Sequence, residues 1–295
     1  MAKHPELERS EWTVFHGAIA DALPLLDALP EMSGRSALYA QWLRGVALGA
    51  SGRYGEALDV VERISVGTPE YSMARSLRAS LLRQLGCHDL ALVADRVAMS
   101  SAATPGAAIE AMTGLAADAV GLQEDMTATT MLGQARSLLE RVAADPHSAP
   151  TWWRHHVRLA WVECEVALMQ SRYPEAVRHA ARSLSEAEAA NAPRHVAKSL
   201  LFLAVSEIED GDRDSGLHNL QRSLMLSNSM GLQAVAWPTH AVLAALLKDS
   251  DPETARTHFL AAGAITETLR LGLSGELAER WDARADIVAL RKEAS

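Results

Sequence analysis

The chain has 295 residues, 48% hydrophobic, 22% charged and only 5% aromatic, with a formal net charge of −9. That length can bury a full core unaided, and the acidic balance disfavours a nucleic-acid surface, whose affinity rests on Lys and Arg neutralising phosphates. Cys87 and Cys164 form no CxxC pattern and so suggest neither a zinc site nor a disulfide framework, which makes a reducing, cytoplasmic setting the expectation. The opening MAKHPELERSEW lacks the basic start and apolar stretch of a secretory signal. No run is apolar for long enough to span a bilayer, since even Leu200 to Val205 soon meets Glu207 and Glu209.

Ala and Leu dominate and β-branched or aromatic runs are scarce, so helix is expected throughout. In chain order, residues 5–30 read as a helical half-unit, with Ala18 and Pro30 spaced as Ala57 and Pro69 are. Small residues then recur twelve apart: Gly45 and Ala57, Ala79 and Ala91, Cys164 and Ala176, Ala204 and Gly216. Leu243 and Ala255 keep the interval with a larger first member. Five positions before each second member stands a turn former, namely Gly52, Gly86, Ser171, Gly211 or Ser250. Gly adopts the left-handed conformation that ends a helix, so each unit reads as a helical hairpin whose helices cross at the small residues. The expected hairpins are 36–69, 70–105, 106–146, 151–192, 193–230 and 232–268. A closing helix spans 276–292, with Leu277, Trp281, Ile287 and Leu290 on one face. The third unit is irregular: its marker is Ala135, Gln123 to Thr130 stand as an insertion between its helices, and Thr130 replaces the turn glycine. Arg182, Ser183 and Leu184 recur forty residues on as Arg222, Ser223 and Leu224.

Gly45, Gly52, Tyr54, Ala57 and Pro69 together resemble the tetratricopeptide repeat family, whose pattern is a small residue in the first helix, Gly then Tyr in the turn, Ala early in the second helix and Pro at its end. The fourth unit retains Tyr173 and Ala176. The later, longer units are similar to repeats in the effector domains of bacterial regulators. The resemblance implies an all-α fold in a single domain over 1–295, a right-handed superhelical solenoid of about six antiparallel hairpins with capping helices at both ends.

It also implies a concave groove lined by the first helix of each hairpin. On that face stand Tyr39, Trp42 and Val46, then Ser76, Ser80 and Arg83, then Arg158, Trp161 and Glu165. Lys198, Leu201 and Val205 follow, and Trp237, His240 and Lys248 complete the set. The face mixes Trp with scattered basic residues, which suits an extended peptide or amphipathic helix with aromatic anchors. It lacks the Lys, Arg and Asn set with which members of the family grip a terminal carboxylate. Taken singly, each aromatic suits a core position slightly better than the groove.

Motifs for chemistry are missing. Gly49, Gly52 and Gly55 are not followed by Lys-Ser or Lys-Thr, GLSGE lacks the hydrolase elbow spacing, and adjacent His155 and His156 point about 100° apart on a helix. The acids from Glu207 to Asp214 lack the alternation and downstream Glu of a calcium loop. The expected role is therefore a non-catalytic adaptor, scaffold or regulator that binds a protein or peptide, without cofactor, metal or membrane. Self-assembly into an oligomer and small-molecule sensing are the alternatives.

Overall fold

The computed structural model describes residues 4–145 and 149–294. Among them are sixteen α-helices, one 3-10 turn at Ala149–Trp152 and no strand. The first two, α1 (Pro5–His16) and α2 (Ile19–Asp27), precede six hairpins. These pair α3 (Gly34–Ala50) with α4 (Tyr54–Glu62), α5 (Glu70–Gln84) with α6 (His88–Ser100), and α7 (Pro105–Gly121) with α8 (Asp125–Ala143). The remaining three pair α9 (Trp153–Met169) with α10 (Tyr173–Ala189), α11 (Pro193–Glu209) with α12 (Arg213–Met230), and α13 (Gln233–Leu247) with α14 (Pro252–Leu271). The short helices α15 (Gly275–Ala283) and α16 (Ala285–Ala294) follow. The whole is a right-handed helical solenoid.

One local device makes five of the six hairpins. At each turn a single residue takes positive φ: Gly52 (84°), Gly86 (78°), Gln123 (62°), Ser171 (55°) and Gly211 (98°). The next amide reaches back to the carbonyl five residues earlier, as Arg53 to Leu48 at 2.9 Å, Glu124 to Ala119 at 2.8 Å and Asp212 to Glu207 at 2.8 Å. This pattern uses up carbonyls that a helix end leaves bare. The crossing sites are as tight as the small residues imply: a Cβ on Gly45 would lie 2.9 Å from Val61 Cγ1, and one on Gly216 would lie 2.5 Å from Ile208 Cγ1.

The third hairpin corrects the sequence reading. Nothing is inserted between its helices, because α8 already starts at Asp125. Its small pair is Ala116 and Ala128, twelve apart and fully buried, while Ala135 packs further along the same helix. Gln123, not Thr130, occupies the left-handed turn position. A side chain in that conformation costs roughly 1 kcal/mol, which the regular hairpin offsets. The closing helix is also two helices, broken where Arg284 is extended. Gly17 and Ala18, both extended, likewise divide the N-terminal segment into α1 and α2.

The coil closes on itself. One hydrophobic cluster joins Leu48, Tyr54 and Leu82 of the first two hairpins to Trp237, Leu269 and Trp281 of the last elements. Across the same junction Arg284 Nη1 donates to the Gln84 carbonyl at 2.6 Å, and Arg280 Nη1 donates to Asp89 Oδ1 at 2.8 Å. The residues expected to cap the solenoid end, 276–292, pack against α4 to α6. No helix of the described residues is long and apolar enough to cross a membrane.

Candidate functional site

Closure turns the concave face into the wall of one cavity to which all six inner helices contribute. Trp42, Val46, Gly49 and Ala50 come from α3; Met73, Ser76, Leu77, Ser80, Leu81 and Gln84 from α5; Glu110 from α7. Arg154, Arg158 and Trp161 come from α9, Arg194, His195 and Lys198 from α11, and Ala234 and Val235 from α13, with Leu232 just ahead of it. The lining thus comes from the later half of α3, most of the length of α5 and the first halves of α9, α11 and α13. The lumen is open to water centres over about 120 Å³, room for on the order of ten waters.

Its electrostatics come from a short motif used twice. Arg154-His155 with Arg158 four residues on opens α9, and Arg194-His195 with Lys198 four residues on opens α11, one repeat of forty residues later. Residues four apart share a helix face, so both motifs aim their cations inward. Against these four stands Glu110. Arg154 Nη2 lies 2.7 Å from its Oε1 and Arg158 Nε lies 2.8 Å from its Oε2. Burial would raise the Glu110 carboxyl, but the two guanidinium groups outweigh it and hold the group at about 2.

Arg194 and Lys198 have no such partner. No carboxylate of the described residues lies within 4 Å of Arg194, its buried Nε is unpaired, and its guanidinium stands 5.8 Å from the Phe15 ring. Burial, with Arg154 and Arg158 nearby, brings Arg194 down to about 9, still charged at neutral pH. Lys198 Nζ lies 4.5 Å over the Trp161 ring. Burial lowers it to about 8, with Glu165 opposing and Arg158 reinforcing the shift.

Aromatic rings frame these cations. Trp161 Nε1 donates to Ser199 Oγ at 2.8 Å, and the indole stacks on His195 with centroids 5.4 Å apart. Phe15 of α1 reaches between Trp42, Trp153 and His195. Burial holds His155 down at about 4 and His195 well below its ordinary value, so both imidazoles are neutral and add no charge.

Of the groove residues expected from sequence, Trp42, Val46, Arg158, Trp161 and Lys198 line the lumen, together with Ser76 and Ser80. Tyr39 stacks on Trp42 and donates to Glu11 Oε1 at 2.7 Å. Glu165 is half-buried beside Lys198, and burial raises its carboxyl. The others stand apart from the cavity. Arg83 is sunk between Asp95 and Asp118, Leu201 packs on the cores of α11 to α13, and Trp237 is buried edge-on to Trp281. Val205 is half-buried on α11. His240 Nδ1 lies 2.8 Å from His258 Nδ1, and Lys248 pairs with exposed Glu293 at 3.0 Å. Sequence reasoning missed Glu110, Arg154, Arg194 and His195. The recurrence it did register, Arg182 to Leu184 and Arg222 to Leu224, belongs to the outer helices α10 and α12.

No model of a known protein family matches the sequence, and no curated protein matches it. Solved structures do. A Rap protein complexed with competence and sporulation factor superposes with a TM-score of 0.64 at 12% identity, covering 97% of this chain and 79% of that one. NprR in complex with its cognate peptide NprX gives 0.62 at 15% identity, covering 97% and 84%. A signal transduction ATPase with a tetratricopeptide repeat sensor from Pyrococcus horikoshii gives 0.55 at 15%, covering 92% of this chain and 41% of that one. Identities this low speak for fold alone, and on fold they agree with the hairpins, the turn pattern and the superhelix: the chain is a tetratricopeptide-like helical repeat protein.

Proposed function

We propose that this chain is a non-catalytic binding module that takes a short ligand segment inside its closed lumen. The observation that carries this reading is the single cavity to which all six inner helices contribute. Its size sets the ligand. An extended segment enters such a lumen more readily than an α-helix, which is about 10–12 Å across with its side chains. A stretch of roughly two or three extended residues fits, with more chain leaving by the mouth. The two superposing structures that hold a sporulation factor and a cognate peptide support a peptide as the ligand.

Native mass spectrometry of the full chain with pooled peptides of three to five residues tests the reading. A one-to-one adduct is expected, lost in Ser80→Trp, where a large side chain fills the lumen while the outer helices keep their packing. Adducts of equal strength in folded Ser80→Trp would place binding elsewhere and refute it.

A further inference from the structure

We propose that the group anchoring the ligand in the lumen is an oxyanion, held by Arg194 and Lys198 with Arg158 at the edge of the site. This rests on the lumen being the binding site. The charge count comes first. Four cations face the cavity, and the one carboxylate among its lining residues, Glu110, already has both oxygens engaged by Arg154 and Arg158. A protein carrying a net charge of −9 has acids to spare, yet none among the described residues lies within ion-pair distance of Arg194. Arg194 is half-buried with its Nε enclosed and unpaired, and a cation so placed without a partner is costly to the fold.

Helix position adds a second, independent cost. Arg154 and Arg194 each stand at the second residue of their helices, α9 and α11. The first turn carries the positive end of the helix dipole and bare amides, which favour an anion and disfavour a cation. Two successive inner helices therefore place Arg where stability alone would select Asp or Glu. A planar oxyanion meeting the Arg194 fork would gain paired charge-assisted hydrogen bonds, and Lys198 adds a point charge from the next turn.

The oxyanion has two sources, a peptide carboxylate or a small organic acid, and the experiment separates them. Melting temperature of the full chain is followed at constant ionic strength with 5 mM additions of citrate, of N-acetyl tripeptides with a free terminal carboxylate, and of the same tripeptides amidated, against chloride. The variants are Arg194→Met, Lys198→Met and, as an exposed basic control outside the lumen, Arg256→Met. Expected is a rise of several degrees in wild type with at least one carboxylate-bearing arm and little with the amides. Arg194→Met should melt higher than wild type in chloride and bind the active arm at least tenfold more weakly, while Arg256→Met behaves as wild type.

Arg194→Met melting lower in chloride with an unchanged anion shift would make the residue structural and overturn the proposal. Amides binding as well as carboxylates, with loss only in Ser80→Trp, would keep the lumen as the site and refute the oxyanion. An anion shift that survives in Ser80→Trp would refute the lumen itself. No shift from any carboxylate arm would also overturn the inference.

Discussion

Gly55, at the start of α4, and Gly272, between α14 and α15, meet backbone to backbone: a Cβ on Gly55 would lie 1.8 Å from the Gly272 carbonyl oxygen. The two residues are 217 positions apart in sequence, and their contact seals the coil. Gly55→Ala should cost about 2 kcal/mol or more through overpacking against rigid backbone, and small-angle scattering should record a larger radius as the junction opens. Gly272→Ala is the control. A Cβ there meets nothing nearer than 3.8 Å, and the variant should melt like wild type.

Arg83 is expected to be structural. Its Nη1 lies 2.5 Å from Asp95 Oδ2 and 2.8 Å from Asp118 Oδ1, both carboxylates fully buried. Burial raises both acids, with Arg83 opposing the shift. Arg83→Met would leave two buried carboxylates without a cation and should destabilise by about 3–5 kcal/mol, measured by urea unfolding. Gly114→Ala should act on the same cluster, since its Cβ would lie 2.1 Å from Asp95 Oδ2.

His155 should weaken the fold in mild acid. Burial pushes His155 to about 4 from an ordinary 6.5. Between those values the unfolded chain binds a proton that the native state does not, so stability falls as pH drops through this window. The loss from His155 alone is about 3 kcal/mol at pH 4, and His155→Gln should flatten that limb of a stability–pH curve. Glu110, lowered to about 2, adds stability above pH 4.5 that is lost below it.

At the alkaline end Lys198 acts with the same sign. Its native value of about 8 lies below the unfolded 10.5, so stability should rise between pH 8 and 10.5 as the burial of its charge is relieved. Affinity for an anionic ligand should fall over the same range as the charge is lost. Calorimetric titration at pH 7 and pH 9.5 checks both, and Lys198→Met should remove the pH dependence.

Both thiols are buried, and burial pushes Cys164 up to about 12 and raises Cys87. The thiolate is the reactive form, so neither should alkylate in the native protein at pH 8. Labelling with iodoacetamide should instead follow the unfolding transition.

The repeat was legible wherever local chemistry dictated the backbone. Gly52, Gly86 and Gly211 announce left-handed turns, and Gly45 and Gly216 announce close crossings. Gln123 hid the third turn because propensity gives no reason for glutamine at positive φ; the hairpin imposes it. The site was only half legible. Trp42, Trp161 and Lys198 followed from the concave face that the repeat resemblance implies, but Trp237, placed on the same face, is buried at the junction between first and last hairpins. That junction is a non-local contact, invisible to any local pattern. Arg154 and Arg194 were readable in principle, as a basic motif repeated at the unit spacing.

Open solenoids gain or lose whole repeats easily, because each unit touches only its neighbours and the ends are free. Here the last unit must arrive where Gly272 can meet Gly55, so the number of hairpins is fixed by the circumference. Duplicating or deleting one would shift the registry of every later unit and break the junction. Substitutions that face the interior leave the Gly55–Gly272 contact untouched, whereas a change in the number of hairpins does not.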